Sequence, residues 1–203
     1  MAATTTREMY LETGLVVLSD SGYGALKLSE VCKRLGVTSG SFYHFFKNWS
    51  DYTGQLIAHW YASRTELEMT AARIVPDAQR RIDDLIEFGL ELPHGAEAAI
   101  RTWAAIDPEV RKVQEAADRS RYDVVYDAVF ELLEDSEVAH RYANWALYLL
   151  TGYEQTTLPD DKEALKWAAK QITDTLDRDV RRHRREQRQA AGDQPVATPE
   201  PHD

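Results

Sequence analysis

The chain has 203 residues, 43% of them hydrophobic and 29% charged, with one cysteine and a formal net charge of −10. This composition fits a globular chain long enough to bury one or two cores, and the lone Cys32 excludes an internal disulfide or a site of two or more cysteine ligands. No apolar run nears the ~20 residues of a membrane-spanning helix, and the start, MAATTTREMYLETG, has no basic segment leading into an apolar one, so a cytoplasmic protein without a secretory signal is expected.

In chain order the pattern is helical throughout. Alternation of β-branched residues over strand lengths is missing, and no Asn-Gly or Asp-Gly pair separates apolar runs. A first helix is expected over about residues 6–21, with Tyr10, Gly14, Val17 and Leu18 on one face and Gly22-Tyr23-Gly24 ending it. Two short helices follow, at about 28–35 and 39–45, joined by Gly36-Val37-Thr38. A longer helical stretch runs from Ser50 to Pro76, with Tyr52, Leu56, Trp60, Ser63, Leu67 and Ile74 in helical phase. Pro76-Asp77 opens a helix to Leu92, which Pro93-His94-Gly95 breaks, and residues 96–106 form a short helix. Asp107-Pro108-Glu109 opens a long one to about Asp135, with proline where its missing N–H costs little and acid where it suits the first turn. The last two helices cover about 137–153, with Val138, Tyr142, Trp145 and Leu149 on one face, and about 160–185, with Leu165, Ala168, Ile172, Leu176 and Val180. Residues 189–203 hold three prolines and few large apolar groups, and are expected to be disordered. The fold class is all-α.

The charge is uneven. Residues 1–50 carry 5 basic and 4 acidic groups, residues 51–177 carry 13 and 25, and residues 178–203 carry 6 and 5. The first segment is the folded part least hostile to a polyanion. It also holds the informative stretch, LSEVCKRLGVTSGSFYHFF over residues 28–46. Two short helices around a glycine turn can hold the second helix out from the body and lay it in a major groove. Cys32 and Gly36 are small enough for close approach, Val31, Leu35, Val37 and Phe42 supply an apolar wedge, and Thr38 is placed to cap the second helix. That helix begins Ser39-Gly40-Ser41, an end suited to phosphate or base-edge contacts.

This run resembles the N-terminal domain of the tetracycline-repressor-like (TetR) regulators. The matching residues are Gly22-Tyr23, Val31-Cys32, Gly36-Val37-Thr38, Ser39-Gly40-Ser41-Phe42-Tyr43, Phe46-Lys47 and Asp51-Tyr52. They cover about the first quarter of the chain; the rest is similar only in layout, with Arg101-Thr102-Trp103-Ala104 and Asp118 to Arg121 echoing a pattern of some members. Gly14 stands where the family usually has alanine, Lys27 near the usual Ser/Thr cap, and His44-Phe45-Phe46 in place of an aromatic-His-Phe order. Trp49 replaces a phosphate-contacting lysine, which implies a shallower salt dependence.

The resemblance implies a bacterial transcriptional regulator: a helix-turn-helix DNA-binding head over residues 1–48, a ligand-binding and dimerisation body over 49–188, and the tail. Thr38, Tyr43 and Lys47 would contact phosphates, and Ser39, Gly40, Ser41 and His44 base edges. None is an Arg, Asn or Gln suited to bidentate readout, so DNA shape and half-site spacing would carry part of the specificity. The body is rich in aromatics, and the resemblance implies a cavity there for a small-molecule effector; Trp103, Asp118, Arg121, Tyr122, Tyr126 and Trp145 are the expected lining, with His94 at its entrance or in a solvated loop. The plainer reading of each is core packing, or for Asp118 and Arg121 a surface pair. The last two helices would join two copies as a homodimer. The whole would be a ligand-released repressor on a palindromic operator; the alternative is a helical ligand- or protein-binding module whose degenerate head does not bind DNA. No nucleophile elbow, His-Glu-x-x-His, Gly-x-Gly-x-x-Gly or Walker loop points to an enzyme, and no cofactor or metal is expected.

Overall fold

The computed structural model describes residues 5–192, and among these every regular element is helical. The helices are α1 (Arg7–Ser21), α2 (Leu28–Leu35), α3 (Ser39–Phe42), α4 (Trp49–Tyr61), α5 (Leu67–Arg73), α6 (Ala78–Glu91), α7 (His94–Ala104), α8 (Pro108–Leu133), α9 (Ser136–Gln155) and α10 (Lys162–Gly192). Short polar side chains start them. Thr6, Asn48, Asp77, Asp107 and Asp135 each accept an N–H from the first turn of the helix that follows. Gly22 and Gly36 end α1 and α2 at φ of 73° and 67°, a conformation that an L side chain strains to adopt.

Helices α1 to α4 form the head. Their core is Tyr10, Val17, Leu18, Val31, Phe42, Phe46, Tyr52 and Leu56, and it does not stop at residue 48. It continues through Trp60 into α7, with Ala96, Ile100 and Trp103, and reaches Val110 and Ala117 at the start of α8. Gly95 makes that continuity possible: a Cβ there would lie 2.5 Å from the Ser19 carbonyl oxygen, so only glycine lets α7 press on α1. Farther from the head, a second core joins α6, the end of α8, α9 and α10 through Ile82, Val129, Leu133, Tyr142, Ile172 and Leu176.

Four sequence expectations change. The third helix closes at Phe42 rather than residue 45, because Phe42 and Phe46 both turn inward and the chain must bend toward the Asn48 cap. The stretch from Ser50 to Pro76 is interrupted by a π turn, Ala62–Glu66. Its one extra residue per turn shifts the buried face to Thr65, Met69 and Ala72, and leaves Leu67 and Ile74 64% and 78% exposed. Pro93-His94-Gly95 begins α7 rather than standing as a break before residue 96. The last helix runs to Gly192, well past residue 185; the remainder of the expected disordered tail, 193–203, lies outside the described residues.

Candidate nucleic-acid interface and effector cavity

The head offers one exposed ridge. Thr38, Ser39 and Gly40 are exposed at the start of α3, and Tyr43, His44 and Lys47 continue the exposed surface along the following turn. Tyr43 is 58% exposed. The ridge is held from beneath by aromatic rings. Phe42 lies 5.8 Å from Tyr10, 5.0 Å from Phe46 and 5.4 Å from Tyr52, centroid to centroid, and all four are fully buried. Trp49, at the first position of α4, closes this bed with its ring 4.9 Å from Tyr52 and 6.2 Å from Phe42. Its place in the sequence is thus explained by packing on the underside of α3. Ser41 is half-buried and accepts the Tyr10 hydroxyl at 3.0 Å, so it is partly committed to the interior. Thr38 sits at the N-cap position of α3, yet its hydroxyl makes no capping bond, contrary to expectation; only its carbonyl is used, by the Ser41 N–H at 3.1 Å.

Gly14 also finds its reason here. The Tyr52 hydroxyl crosses α1 to donate to the Tyr10 carbonyl at 2.9 Å, and a Cβ on Gly14 would lie 2.2 Å from that oxygen. Burial pushes the Tyr52 hydroxyl far above the usual phenol range, so it remains a donor. Cys32 is buried beneath α2, where burial raises its thiol; it behaves as a small apolar group.

The electrostatics of the ridge are weak. Arg34 is engaged by Asp20 at 2.6 Å and Glu30 at 3.0 Å, and Lys33 stands 3.7 Å from Glu30. Arg7 donates to Gln55 at 2.7 Å and lies over the Phe46 ring. Among the described residues of the head, Lys27 and Lys47 are the lysines outside ion pairs, and only Lys47 is on the ridge.

The body contains an apolar cavity that is partly open to solvent. It lies between α6, α8, α9 and α10, with Met69 of α5 at one side, and Leu85, Phe88, Val125, Ala146 and Ile172 are among its walls. Of the expected lining residues it contains Arg121 and Tyr122. The other four are elsewhere. Trp103 stacks on Tyr23 at 5.0 Å in the head's core, because α7 packs on α1. Asp118 forms a two-bond pair with Arg101, both bonds 2.8 Å. Tyr126 stacks between Tyr122 and Phe130 along the outer side of α8. Trp145 is on the exposed side of α9. His94 is neither at an entrance nor in a solvated loop: its ring is buried against Tyr153 at the start of α7, 3.6 Å from Glu154.

The body holds two buried polar networks, one of which reaches the cavity wall through Arg121. Arg101 also donates to Glu154 at 3.0 Å, tying α7 to α8 and α9. Burial works against the Arg101 charge, but Asp118 and Glu154 more than offset it and raise its pKa. The second network was invisible as sequence pattern. Arg121 donates to Glu97 at 3.0 Å and to Thr65 of the π turn at 3.1 Å, and Glu97 accepts the Trp60 indole N–H at 2.7 Å. One cavity-wall side chain thereby touches α4, the π turn and α7 together.

Among the described residues no helix is long and apolar enough to cross a membrane. No match appears among curated proteins. The fold is that of solved bacterial regulators. A transcriptional regulator from a Rhodococcus species superposes with a TM-score of 0.71 at 17% identity, over 85% of this chain and 96% of that one. A transcriptional regulator from Saccharomonospora viridis, in complex with choline, gives 0.67 at 16% identity over 84% and 95%. The regulator FadR from Bacillus subtilis, in complex with stearoyl-CoA, gives 0.60 at 16% identity over 84% and 97%. Residues 11–49, in the head described above, match the model of the bacterial regulatory proteins of the tetR family.

Proposed function

We propose that the chain is a DNA-binding transcriptional regulator, a homodimeric repressor released from a palindromic operator by a small molecule. The observation that carries the reading is the exposed ridge on a fully buried aromatic bed, above a body that holds an apolar cavity. Residues 1–48 carry the reading surface and 49–188 the effector-binding and dimerising body, with α4 contributing to the core beneath the reading surface. Tyr43, Lys47 and Thr38 contact phosphates; Ser39, Gly40 and His44 meet base edges, with Ser41 contributing less because Tyr10 holds it. Exposed Tyr148 on α9 and Trp167 on α10, with Trp145 beside Tyr148, support dimerisation through the last two helices. Choline and stearoyl-CoA in the two relatives support an effector for this chain's cavity without naming it.

Coupling follows the Arg121 network. A ligand that displaces Arg121 moves Thr65 and Glu97, and through them α4, which beds α3, and α7, which packs on α1. It acts only through its different affinity for the DNA-matched and mismatched dimers. The test is fluorescence anisotropy on fragments flanking the gene at low salt. A specific complex on at least one fragment is expected, and none on any of them overturns the reading. Tyr43→Ala and Lys47→Ala each weaken that complex, and Lys47→Ala lowers the slope of log K against log salt by about one per protomer.

A second reading, a ligand- or protein-binding module whose head does not bind DNA, is favoured by the neutralised Arg34 and by uncharged Trp49. It gains if those two substitutions leave DNA retention unchanged while ligand binding persists.

A further inference from the structure

We propose that the cavity takes a neutral hydrocarbon: a ligand whose enclosed part carries no charge and no hydrogen-bonding group, held by apolar area and shape alone. This rests on the effector reading above and names the chemical class of what enters.

Of the 22 residues that line the cavity, 19 have side chains without a strong hydrogen-bonding group. The three exceptions, Arg121, Tyr122 and Tyr142, already have protein partners. The Tyr142 hydroxyl donates to Asp179 at 2.8 Å, and the Tyr122 hydroxyl is bonded to the His140 ring at 2.7 Å. Arg121 gives one terminal nitrogen to Glu97 at 3.0 Å and the other to Thr65 at 3.1 Å, and its Nε–H is buried with no accessible surface to offer a ligand. A polar ligand group enclosed here would lose its water and gain no side-chain partner in return, which is costly. An apolar one gains. Leu85, Ile86 and Leu90 of α6 and Leu147, Leu149 and Leu150 of α9 line the cavity and are only half-buried, so a hydrocarbon between them completes their burial. The walls are long: Ile82 to Leu92 on α6 and Leu165 to Leu176 on α10 each run about 15–17 Å at the rise of a helix, which suits an elongated molecule.

Charge is disfavoured in both signs. Among the described residues, Arg121 is the charged side chain of the wall, and the fully buried Glu97 carboxylate already balances it. A ligand carboxylate would be a second buried anion beside a single cation. A ligand cation would meet the guanidinium and no lining carboxylate. The Tyr122 ring, on which a cation could otherwise rest, has the Arg119 guanidinium over it at 5.6 Å.

The experiment is calorimetry on the full chain with four probes that share a phenylalkyl body and differ at the end: butylbenzene, phenylpropanol, phenylbutyrate and phenylpropylammonium. Butylbenzene is expected to bind at one site per protomer, about tenfold or more tighter than each of the others, with a negative heat-capacity change from apolar burial. Ala146→Phe puts a ring into the space and should weaken butylbenzene about tenfold or more. Phenylpropanol binding as tightly as butylbenzene overturns the inference that the wall offers no polar partner, and either ion doing so overturns neutrality; both outcomes leave the cavity standing. No probe binding, or butylbenzene binding indifferent to Ala146→Phe, overturns the effector cavity itself. If Ala146→Phe does not fold, the ranking of the four probes on the wild type and the sign of the heat-capacity change decide alone.

Discussion

The head and the body bury their surfaces in opposite ways. The head is ring upon ring, and the two tyrosine hydroxyls in its core are spent within it, Tyr10 on Ser41 and Tyr52 on the Tyr10 carbonyl. The body holds paired charges away from water and encloses empty apolar space. A close-packed interior moves as a unit, whereas a hollow one with buried ion pairs has alternative arrangements of similar energy. Under the proposed function, the contrast gives rigidity to the part that would meet DNA and adaptability to the part that would respond to a ligand.

Breaking a body network gives the largest expected effect. Arg101→Met strips Glu154, whose side chain is fully buried, and Asp118 of their cation. Removing one partner of a buried pair costs about 3–5 kcal/mol. Chemical denaturation should show that loss, and a triple change, Arg101→Met with Asp118→Asn and Glu154→Leu, should recover most of it. A single-variant loss below about 1 kcal/mol would mean that water reaches the network, and the polar body would then resemble any solvated surface.

The head is sharpened by a smaller change that adds atoms. Gly14→Ala should gain up to about 1 kcal/mol of helix propensity. The added Cβ meets the Tyr52 hydroxyl at 2.2 Å and both Leu56 methyls at 3.0 Å. Overpacking of this kind costs about 1–3 kcal/mol, and displacing the Tyr52 bond adds about 1 more. Destabilisation wins, by about 1–3 kcal/mol. Tyr52→Phe removes the colliding oxygen, so the double variant should be more stable than Gly14→Ala alone, a coupling that a double-mutant cycle measures. If Gly14→Ala is stabilising, the aromatic bed is looser than its geometry implies.

The same contrast explains what the sequence made legible. The head is local. Gly36 in its left-handed turn, the small Cys32 and the buried Val31 and Phe42 lie within a dozen residues, so spacing placed α2 at about 28–35, and the resemblance supplied the residues of the ridge. The cavity is not local. Its walls run from Met69 to Leu176, and an apolar face reads identically whether it meets a neighbour or a void. Aromatic identity was a poor guide: Trp103 serves the head's core, and Trp145 faces outward, while Leu85, Val125 and Ala146 help form the hollow. Arg121 and Asp118, three apart on α8, read as a pair, but each took a partner from another helix. The π turn has no side-chain signature, and every residue beyond it in that segment was misphased.

The smallest effect concerns the end of the ridge, where the rigid head relies on one exposed charge. The Asp51 carboxylate accepts the Lys47 backbone N–H and the Gln55 amide, each at 2.8 Å. The Lys47 bond, followed by that from Gln55, holds its pKa below the usual carboxylate range. A group whose folded pKa is depressed contributes stability above its unfolded pKa, near 3.9, and loses it as pH falls through the folded value. Asp51→Asn should therefore melt slightly below wild type at pH 7, and the gap should shrink below about pH 4 and close once the wild-type carboxyl is protonated. Added salt should narrow the pH 7 gap, because the charge is exposed. The same variant leaves the Lys47 backbone N–H only a neutral amide oxygen to bond, so DNA affinity should fall less than in Lys47→Ala. A melting gap that persists unchanged at pH 2 would show that Asp51 acts by shape rather than charge, and the position of Lys47 would then belong to the aromatic bed alone.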